Sequence, residues 1–267
     1  MMPDSGGASL TVDQGVATIL FDRRSARNAM LQATWHALPG LIATAEADER
    51  VAAIVLRGAG GHFGAGNDIA EFGLIRSDAA KCRAYGQAMV DAMLAVERAT
   101  KPVIAAIEGS CFGASVALAL AADFRVAAAD ARFAITPAKL GALYLRSDLH
   151  RLVAAIGQGH ARRMLFTAAT IDSAEARAIG LVEQLAAPVQ FDAELDRILQ
   201  AICGGSLFTL HHSKRMLRSQ GHGETPVEDD ESIGWFVAAM QGADFAEGHA
   251  AFMAKRTPQF PGALVLD

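Results

Sequence analysis

The stretch from Val103 to Phe124, VIAAIEGSCFGASVALALAADF, constrains the fold of this chain more than any other segment. It begins as an apolar run, passes through a small-residue turn at Gly109–Gly113, and continues as a run rich in alanine and leucine. This pattern predicts a buried strand, a tight turn and a buried helix. The first amides of such a helix have no acceptors within the helix, and the helix dipole adds to their positive potential. The stretch therefore predicts a site that favours negative charge.

Composition excludes several classes of protein. The 267 residues suit one large domain, or one domain with an appendage. A formal charge of −5 with scattered Lys and Arg argues against nucleic acid or an anionic membrane as the main partner. No apolar run approaches the roughly 18 residues that span a bilayer, and the N-terminus lacks the pattern of a secretory signal. Cys82, Cys111 and Cys203 lie far apart without metal-ligand spacing, so we expect reduced thiols, no metal and a cytoplasmic location.

Strand and helix patterns alternate over about the first 190 residues. Residues 9–21 predict a hairpin that turns at Asp13-Gln14-Gly15. Residues 51–56 predict a buried strand, and residues 78–100 predict a helix. The similar lengths of these units suggest a repeated ββα-like winding. From about residue 191 the pattern is helical throughout. The alternating part and the helical part together predict the α/β class with a helical C-terminal region.

Several polar residues are expected at helix starts. Asn28 can cap a helix that starts at Ala29, and Asp148 can cap a helix that starts after it. Thr225 and Glu228 have the spacing of a capping box. Pro39 lies inside the first of these helices and predicts a kink or a break, because proline clashes with the carbonyl four residues earlier.

Two segments carry a resemblance to a known family. HFGAGNDI at 62–69 and KPVIAAIEGSCFGASVALALAADF at 101–124 resemble the paired signature of the crotonase, or enoyl-CoA hydratase/isomerase, superfamily. The likeness continues in the family's order to EGHAAFMAKRTPQF at 247–260. It implies a spiral of ββα units over residues 1–198 and a helical region, 199–267, that mediates homotrimers or homohexamers. It also implies an acyl-CoA thioester as substrate, without a separate cofactor.

The resemblance implies which groups bind the thioester oxygen. The matching positions are the backbone amides of Asn67, after Gly66, and of Ala114, after Gly113. Backbone donors fixed by a turn need little reorganisation when the oxygen gains charge as an enolate forms. By analogy with a measured side-chain donor, each is worth about 3–4 kcal/mol.

Other positions match the family's contacts with the substrate. A positive side chain near the C-terminus would meet the phosphates of coenzyme A by charge, often from a neighbouring subunit. An ordinary solvated helix end is the alternative for Lys255, and a contact with turn amides is the alternative for Asp68. The matching positions are Arg23, Arg27, Ala29, Ala65, Gly66, Asp68, Ile69, Gly113, Phe252 and Lys255.

Two positions depart from the hydratases of the family. Those enzymes carry glutamates where this chain has Ala117 and Pro137. Neither side chain can carry a proton, whereas adding water across a conjugated double bond needs a positioned base and acid. The resemblance therefore implies an enzyme that acts through an enolate but disfavours the usual hydration mechanism.

With both glutamates absent, three alternatives remain for what the chain does with its substrate. TPAKLGALY at 136–144 resembles the methylmalonyl-CoA decarboxylases of the superfamily, which carry a tyrosine at the position of Tyr144. Decarboxylation forms an enolate without a base, and this hydroxyl could orient the carboxylate or assist protonation. Asp148 and Glu108 are further acid or base candidates, with structural roles as their alternatives. Finally, the chain could bind acyl-CoA with little turnover.

Overall fold

Strands and helices alternate along residues 6–219 and 229–261, which are the residues that the computed structural model describes. The predicted capping box at residues 225–228 lies outside this part of the chain. The strands are β1 (Ala8–Asp13), β2 (Val16–Phe21), β3 (Ala53–Gly58), β4 (Val103–Ile107), β5 (Ser110–Phe112), β6 (Phe124–Ala128), β7 (Arg132–Ala134), β8 (Thr170–Asp172) and β9 (Gln184–Ala186). The α-helices are α1 (Gln32–Ala47), α2 (Ile69–Ile75), α3 (Ala79–Arg98), α4 (Ala114–Ala121), α5 (Pro137–Leu140), α6 (Arg146–Thr167), α7 (Ser173–Ala178), α8 (Phe191–Cys203), α9 (Leu207–Ser219), α10 (Asp230–Gln241) and α11 (Ala243–Ala254).

The larger sheet has the strand order β1-β2-β3-β4-β6-β9. Strands β1 and β2 form the predicted antiparallel hairpin, and every other neighbouring pair in this sheet is parallel. Gln14 and Gly15 turn the hairpin with φ of 42° and 79°, the positive values that a tight two-residue turn requires. Strand β3 begins at Ala53 rather than at Val51 because Ala53 pairs with Val16, where β2 begins.

A smaller sheet, β5-β7-β8, makes the repeat visible. Strands β4 and β6 join the larger sheet, the strands that follow them, β5 and β7, join the smaller sheet, and helices come next. After β3, an isolated parallel bridge between Gly64 and Cys111 places an extended segment beside β5 in the same way. The predicted ββα winding and α/β class are therefore confirmed.

Asn28 does not cap a helix, so that prediction is wrong. Helix α1 begins at Gln32, whose amide donates to the carboxylate of Glu71 at 2.7 Å rather than to Asn28. The Asn28 side chain is buried and donates to the carbonyl oxygens of Ala59 (2.8 Å) and His62 (2.6 Å). It therefore joins the loop before α1 to the loop after β3, and this buried use outweighs a local cap.

Helix α1 continues through Pro39, so of the predicted kink or break, the break is wrong. Trp35, Leu38, Ile42 and Ala45 are all buried in the main core cluster along one side of the helix. Proline inside a helix costs about 3 kcal/mol or more. Burial of these side chains on both sides of Pro39 offsets that cost, since tertiary packing provides most of a helix's stability.

Helix α6 differs from the prediction at its start and agrees with it further along. It begins at Arg146, with Leu145 as N-cap residue, so the prediction that Asp148 is the cap is wrong. Asp148 is buried at the third position of the helix, where its carboxylate pairs with Arg151 at 3.2 Å. A glycine such as Gly157 is typical of a helix end, and with φ of 71° and ψ of 164° it kinks α6 at this position.

The C-terminal helices attach to the core at two places. Phe191, Leu195 and Leu199 of α8 pack in a second apolar cluster with strands of the larger sheet. On α9, the ammonium of Lys214 lies 2.7 Å from the carboxylate of Asp123. Helix α8 spans residue 198, so a division at that residue stays a prediction.

The helices and the cysteines bear on two expectations from composition. Among the described helices, none is both long and apolar enough to cross a membrane. Cys82, Cys111 and Cys203 all carry free thiols, with the first exposed and the other two buried.

Two Gly→Ala substitutions should have opposite effects on stability. A Cβ on Gly58 would lie 1.9 Å from the carbonyl oxygen of His62, so Gly58→Ala should lower the free energy of unfolding by about 1–3 kcal/mol or more. A Cβ on Gly86, inside α3, would meet nothing within 4 Å, so Gly86→Ala should raise that free energy by about 0.5–1 kcal/mol. Urea denaturation measures both values, and equal stability of the two variants would contradict the close approach at Gly58.

Candidate functional site

Two glycine turns meet where an extended segment and β5 end side by side. The amide of Gly64 donates to the carbonyl oxygen of Ser110 (2.9 Å), and the amide of Phe112 donates to the carbonyl oxygen of Gly64 (2.9 Å). This pattern is that of a parallel pair. This pairing brings the turns at Gly66 and Gly113 to the same level. A Cβ on Gly66, whose φ is 93°, would lie 2.9 Å from the Phe112 carbonyl oxygen. The turns can approach this closely because neither carries a side chain.

The amides that follow these turns, those of Asn67 and Ala114, have no hydrogen-bond acceptor in the described part of the chain. Ala114 is the first residue of α4, so no carbonyl of the helix can reach its amide. In the other turn, the Met30 amide donates to the Gly66 carbonyl, and the Met30 carbonyl accepts from the Asp68 amide. The Asn67 amide between them takes part in neither hydrogen bond. A Cβ built on Gly66 would lie 3.3 Å from the Ala114 nitrogen, which places the two expected donors beside each other.

Asn67 and Ala114 line the same pocket, which has a volume of about 80 Å³. Polar side chains come from Asn67, Thr136, Tyr144 and Asp148. The Asn67 side chain is occupied, because its oxygen accepts from the indole of Trp35 at 2.9 Å. The apolar wall consists of Ile69, Phe72, Met89, Leu140, Leu143 and Leu145.

Tyr144 reaches the pocket, but its hydroxyl already has a partner. It donates to the carbonyl oxygen of Gly113 at 2.5 Å. Burial, and then the nearby carboxylate of Asp148, raise the pKa of the Tyr144 hydroxyl well above its usual value. The side chain is therefore a neutral donor that holds the turn in front of Ala114.

Asp148 supplies a buried carboxyl to the same pocket, with only 1% of its surface exposed. Burial raises the pKa of this carboxyl to about 6, while Arg151 and the Leu145 backbone oppose the shift. A carboxyl that titrates close to neutral pH can both take up and return a proton. Asp148 is thus the side chain in this pocket best suited to acid–base chemistry.

Glu108 lies outside the pocket. Its carboxylate pairs with the guanidinium of Arg57 at 2.7 Å, and Arg57 also pairs with Asp192 at 2.7 Å. His62 is similarly occupied, because its Nδ1 lies 3.1 Å from the amide of Ser110. The position of Glu108 agrees with the structural alternative for that residue, and His62 likewise contacts the backbone of a turn. Among the described residues, no group of three His, Cys, Asp or Glu side chains is arranged to bind a metal.

The residues expected near the nucleotide end of the substrate form one connected group. Arg23 donates to the Asp68 carboxylate at 2.9 Å and to the Ala29 carbonyl. The hydrogen bond from Arg23 lowers the pKa of Asp68, which also accepts from an amide at the start of α2. The exposed Arg27 accepts from the Ala65 amide at 2.9 Å through its carbonyl. Ala65 and Ile69 line the pocket, so this group borders it.

Phe252 and Lys255 are not brought to the pocket within this chain. Both are exposed at the end of α11, and Phe252 exposes 81% of its surface. Lys255 adopts a left-handed conformation with φ of 52° as the last turn ends.

Sequence reasoning missed two residues of the site. Ser115 is fully buried, and its hydroxyl accepts from the Gly66 amide at 3.0 Å, which links the two turns. Arg151 pairs with Asp148 from one helical turn further on. The spacing of three residues between Asp148 and Arg151 was a usable signal, but it had no meaning while Asp148 was interpreted as a cap.

Asp148→Asn should change how stability depends on pH. The folded protein holds the Asp148 proton up to about pH 6, whereas an unfolded chain releases it near pH 4. The wild type should therefore lose about 3 kcal/mol of unfolding free energy as the pH rises between these values. The variant lacks this component, whose size already includes the attraction between the ionised Asp148 and Arg151.

Urea titrations from about pH 4 to pH 7 measure the difference in unfolding free energy between wild type and variant. Asp130→Asn, at an exposed turn, is the matched control and should follow the wild type. A difference for Asp148→Asn that stays constant across this range would contradict the raised pKa.

The chain is similar to known proteins along nearly its whole length. The model of the enoyl-CoA hydratase/isomerase family matches residues 11–263. A peroxisomal Delta(3,5)-Delta(2,4)-dienoyl-CoA isomerase from Arabidopsis thaliana is 30% identical, with 93% of each chain covered. A crotonyl-CoA hydratase from Syntrophomonas wolfei is 29% identical over 94% of this chain and 96% of its own. The crystal structure of a protein assigned to this family from Hyphomonas neptunium has a TM-score of 0.90 at 37% identity, covering 95% of this chain and 97% of that one. The chain therefore belongs to the enoyl-CoA hydratase/isomerase family and has the crotonase-type α/β fold.

Proposed function

We propose that this protein is an enzyme that shifts a double bond in an acyl-CoA thioester by moving a proton through an enolate. The thioester oxygen lies between the amides of Asn67 and Ala114, and Asp148 carries the proton. One observation carries the proposal. Two unpaired amides and a buried carboxyl that titrates near neutral pH open into the same apolar pocket.

The reaction begins with Asp148 in its carboxylate form. It removes a proton from a carbon in conjugation with the thioester, and the electron pair moves through the conjugated system to the carbonyl oxygen. The amides of Asn67 and Ala114 hold the resulting oxyanion, and each contributes about 3–4 kcal/mol by analogy with a measured donor. Asp148 then returns the proton to a different carbon, so the double bond moves and no other reactant is consumed.

The residues present favour this shift over hydration. Hydration in this family uses two glutamates, and their positions here are Ala117, buried inside α4, and Pro137, in the pocket wall. Isomerisation needs only one group that takes and returns a proton, and Asp148 suffices for that. The relatives are named for both reactions, a dienoyl-CoA isomerase from Arabidopsis and a crotonyl-CoA hydratase from Syntrophomonas, so the preference for isomerisation rests on the residues of this pocket.

Tyr144 fits a positioning role better than a proton-donating role. Its hydroxyl proton is donated to the Gly113 carbonyl, and reaching a substrate would break that bond. Decarboxylation of malonyl-CoA or methylmalonyl-CoA with Tyr144 as the acid is therefore the second outcome to test. Binding of acyl-CoA without turnover is the third.

We also propose that the substrate's nucleotide end lies beside Arg23 and Arg27 and that the protein forms homotrimers or homohexamers. Exposed apolar side chains on α10 and α11, including Phe236 and Phe252, support such self-association. In an assembly, Phe252 and Lys255 would be free to contact a substrate bound to a neighbouring subunit.

Asp148→Asn tests the proton carrier. With a panel of enoyl-CoA and dienoyl-CoA substrates, the wild type should move the double bond, which the change in ultraviolet absorbance measures. The variant should lose at least about a hundredfold in kcat, because an amide cannot accept the proton. Asp130→Asn, the exposed control, should retain the wild-type rate.

Other results would select the alternatives. Hydration of crotonyl-CoA at ordinary rates would contradict the argument from Ala117 and Pro137. Release of carbon dioxide that falls more than about tenfold in Tyr144→Phe would identify the decarboxylase. Tight binding of a non-reactive acyl-CoA analogue with no turnover on the whole panel would identify a binding protein.

Ala114→Pro tests the oxyanion contact. Proline at the first position of a helix is well tolerated, so this change removes the amide donor with little disturbance of α4. We expect kcat/KM to fall by about 10²–10³, while Ala114→Gly, which keeps the amide, stays close to the wild type. Circular dichroism verifies folding, and equal activity of the two variants would show that the Ala114 amide does not bind the oxyanion.

A further inference from the structure

A line of three charged side chains runs behind the pocket. Arg151 of α6 lies between Asp148, which faces the pocket, and Glu97 of α3. The Glu97 carboxylate accepts from two nitrogens of the guanidinium, Nε at 3.0 Å and Nη2 at 2.5 Å. Only Nη1 remains for Asp148, at 3.2 Å.

We propose that Arg151 is a positioning residue that sets the charge state of Asp148, and that Glu97 sets the strength of this effect by occupying most of the guanidinium. This inference rests on the proposed function, in which Asp148 moves the proton. The roles are electrostatic. Arginine keeps its proton under all ordinary conditions, so Arg151 cannot relay a proton between the two carboxylates.

The geometry explains why Glu97 matters. A guanidinium that paired with Asp148 through two parallel hydrogen bonds would hold that carboxyl firmly in its ionised form. Glu97 accepts two of the guanidinium hydrogen bonds instead, both through its Oε2 oxygen, and its negative charge offsets part of the positive charge behind Asp148. The Arg151 and Asp148 side chains are both buried, so water screens the attraction between them weakly, whereas the Glu97 side chain is 40% exposed and its charge is partly screened. A carboxylate held too strongly would be a poor base, and an unpaired one would remain protonated.

Among the described residues, Arg151 is the charged side chain that pairs with Asp148. Behind Arg151 and Glu97, a second cavity is also lined by His150, by Arg218, and by Asp123 and Arg125, which pair with Lys214 and Glu183. Helix α4, which packs against α6, has the sequence ASVALALA and presents no titratable side chain. Helix α5 carries Lys139, which is exposed to solvent. Tyr144 stays neutral because burial and the Asp148 charge raise its pKa. The charge of Asp148 therefore depends on Arg151 and Glu97.

The test compares two variants that should shift the pH profile in opposite directions. In the wild type, kcat for the isomerisation should fall as the pH drops below about 6, where Asp148 becomes protonated. Glu97→Gln removes the opposing charge, so this fall should move to lower pH by about one unit. Arg151→Met removes the cation, so it should move to higher pH by about one unit or more. Arg151→Lys should lie closer to the wild type.

A matched control separates this effect from ordinary ion-pair loss. Glu175→Gln breaks the pair between Glu175 of α7 and Arg163, which lies on the same helix as Arg151 but outside the pocket. It should leave the pH profile unchanged. If Arg151→Met does not fold, Glu97→Gln still decides the matter, because only an electrostatic role predicts a downward shift.

A second readout distinguishes failure of this inference from failure of the proposed function. The pH dependence of the stability difference between each background and its Asp148→Asn partner reports the Asp148 charge without any catalysis. The midpoint is the pH at which this stability difference is half changed. Midpoints that shift in opposite directions for Glu97→Gln and Arg151→Met, without changes in the kcat profile, would keep the electrostatic role and reject Asp148 as the proton carrier. Midpoints that stay in place, or that move in the same direction for Glu97→Gln and Arg151→Met, would overturn the inference.

Discussion

Parallel pairing between the segment around Gly64 and β5 is the constraint on which the candidate site depends. Two backbone hydrogen bonds set these segments in register, and the register places the turns at Gly66 and Gly113 level with each other. Ser115 then joins the turns through its hydroxyl. Because the amides of Asn67 and Ala114 belong to the backbone of these turns, their direction follows from the sheet rather than from flexible side chains. Such donors lose little free energy to reorganisation when charge develops in front of them.

The proton carrier of the pocket, unlike these backbone donors, is a side chain, the buried carboxyl of Asp148. Asp148 is removed from water, and its only cationic partner among the described residues is shared with Glu97. Removal from water raises the pKa of the carboxyl, and the shared cation limits the shift, so the group titrates near neutral pH. In the proposed mechanism the polarising donors and the proton carrier come from different parts of the chain. Their separation explains how a member of this family can keep the donors while its two glutamate positions are Ala117 and Pro137.

Most of the fold could be predicted from local patterns. The hairpin at residues 9–21 depends on a tight turn at Gly15, and α3 depends on its cap at Asp78 and its apolar spacing. The turns at Gly66 and Gly113 were visible as small residues after strand patterns. The wrong predictions at Asn28 and Asp148 concern polar side chains that are buried, and the predicted break at Pro39 did not allow for the burial of the apolar side chains around it.

The sequence by itself determined the α/β class, the order of the elements and the two turns that precede Asn67 and Ala114, because apolar periodicity and glycine act over short distances. Only the tertiary structure decided how polar side chains are used. Asn28 binds carbonyls more than 30 residues away instead of capping a helix, and Asp148 faces a pocket instead of solvent. A polar side chain near a helix start has a local partner and a distant one available to it. Which partner is bound depends on burial, since an unpaired polar group costs far more inside the protein than in water.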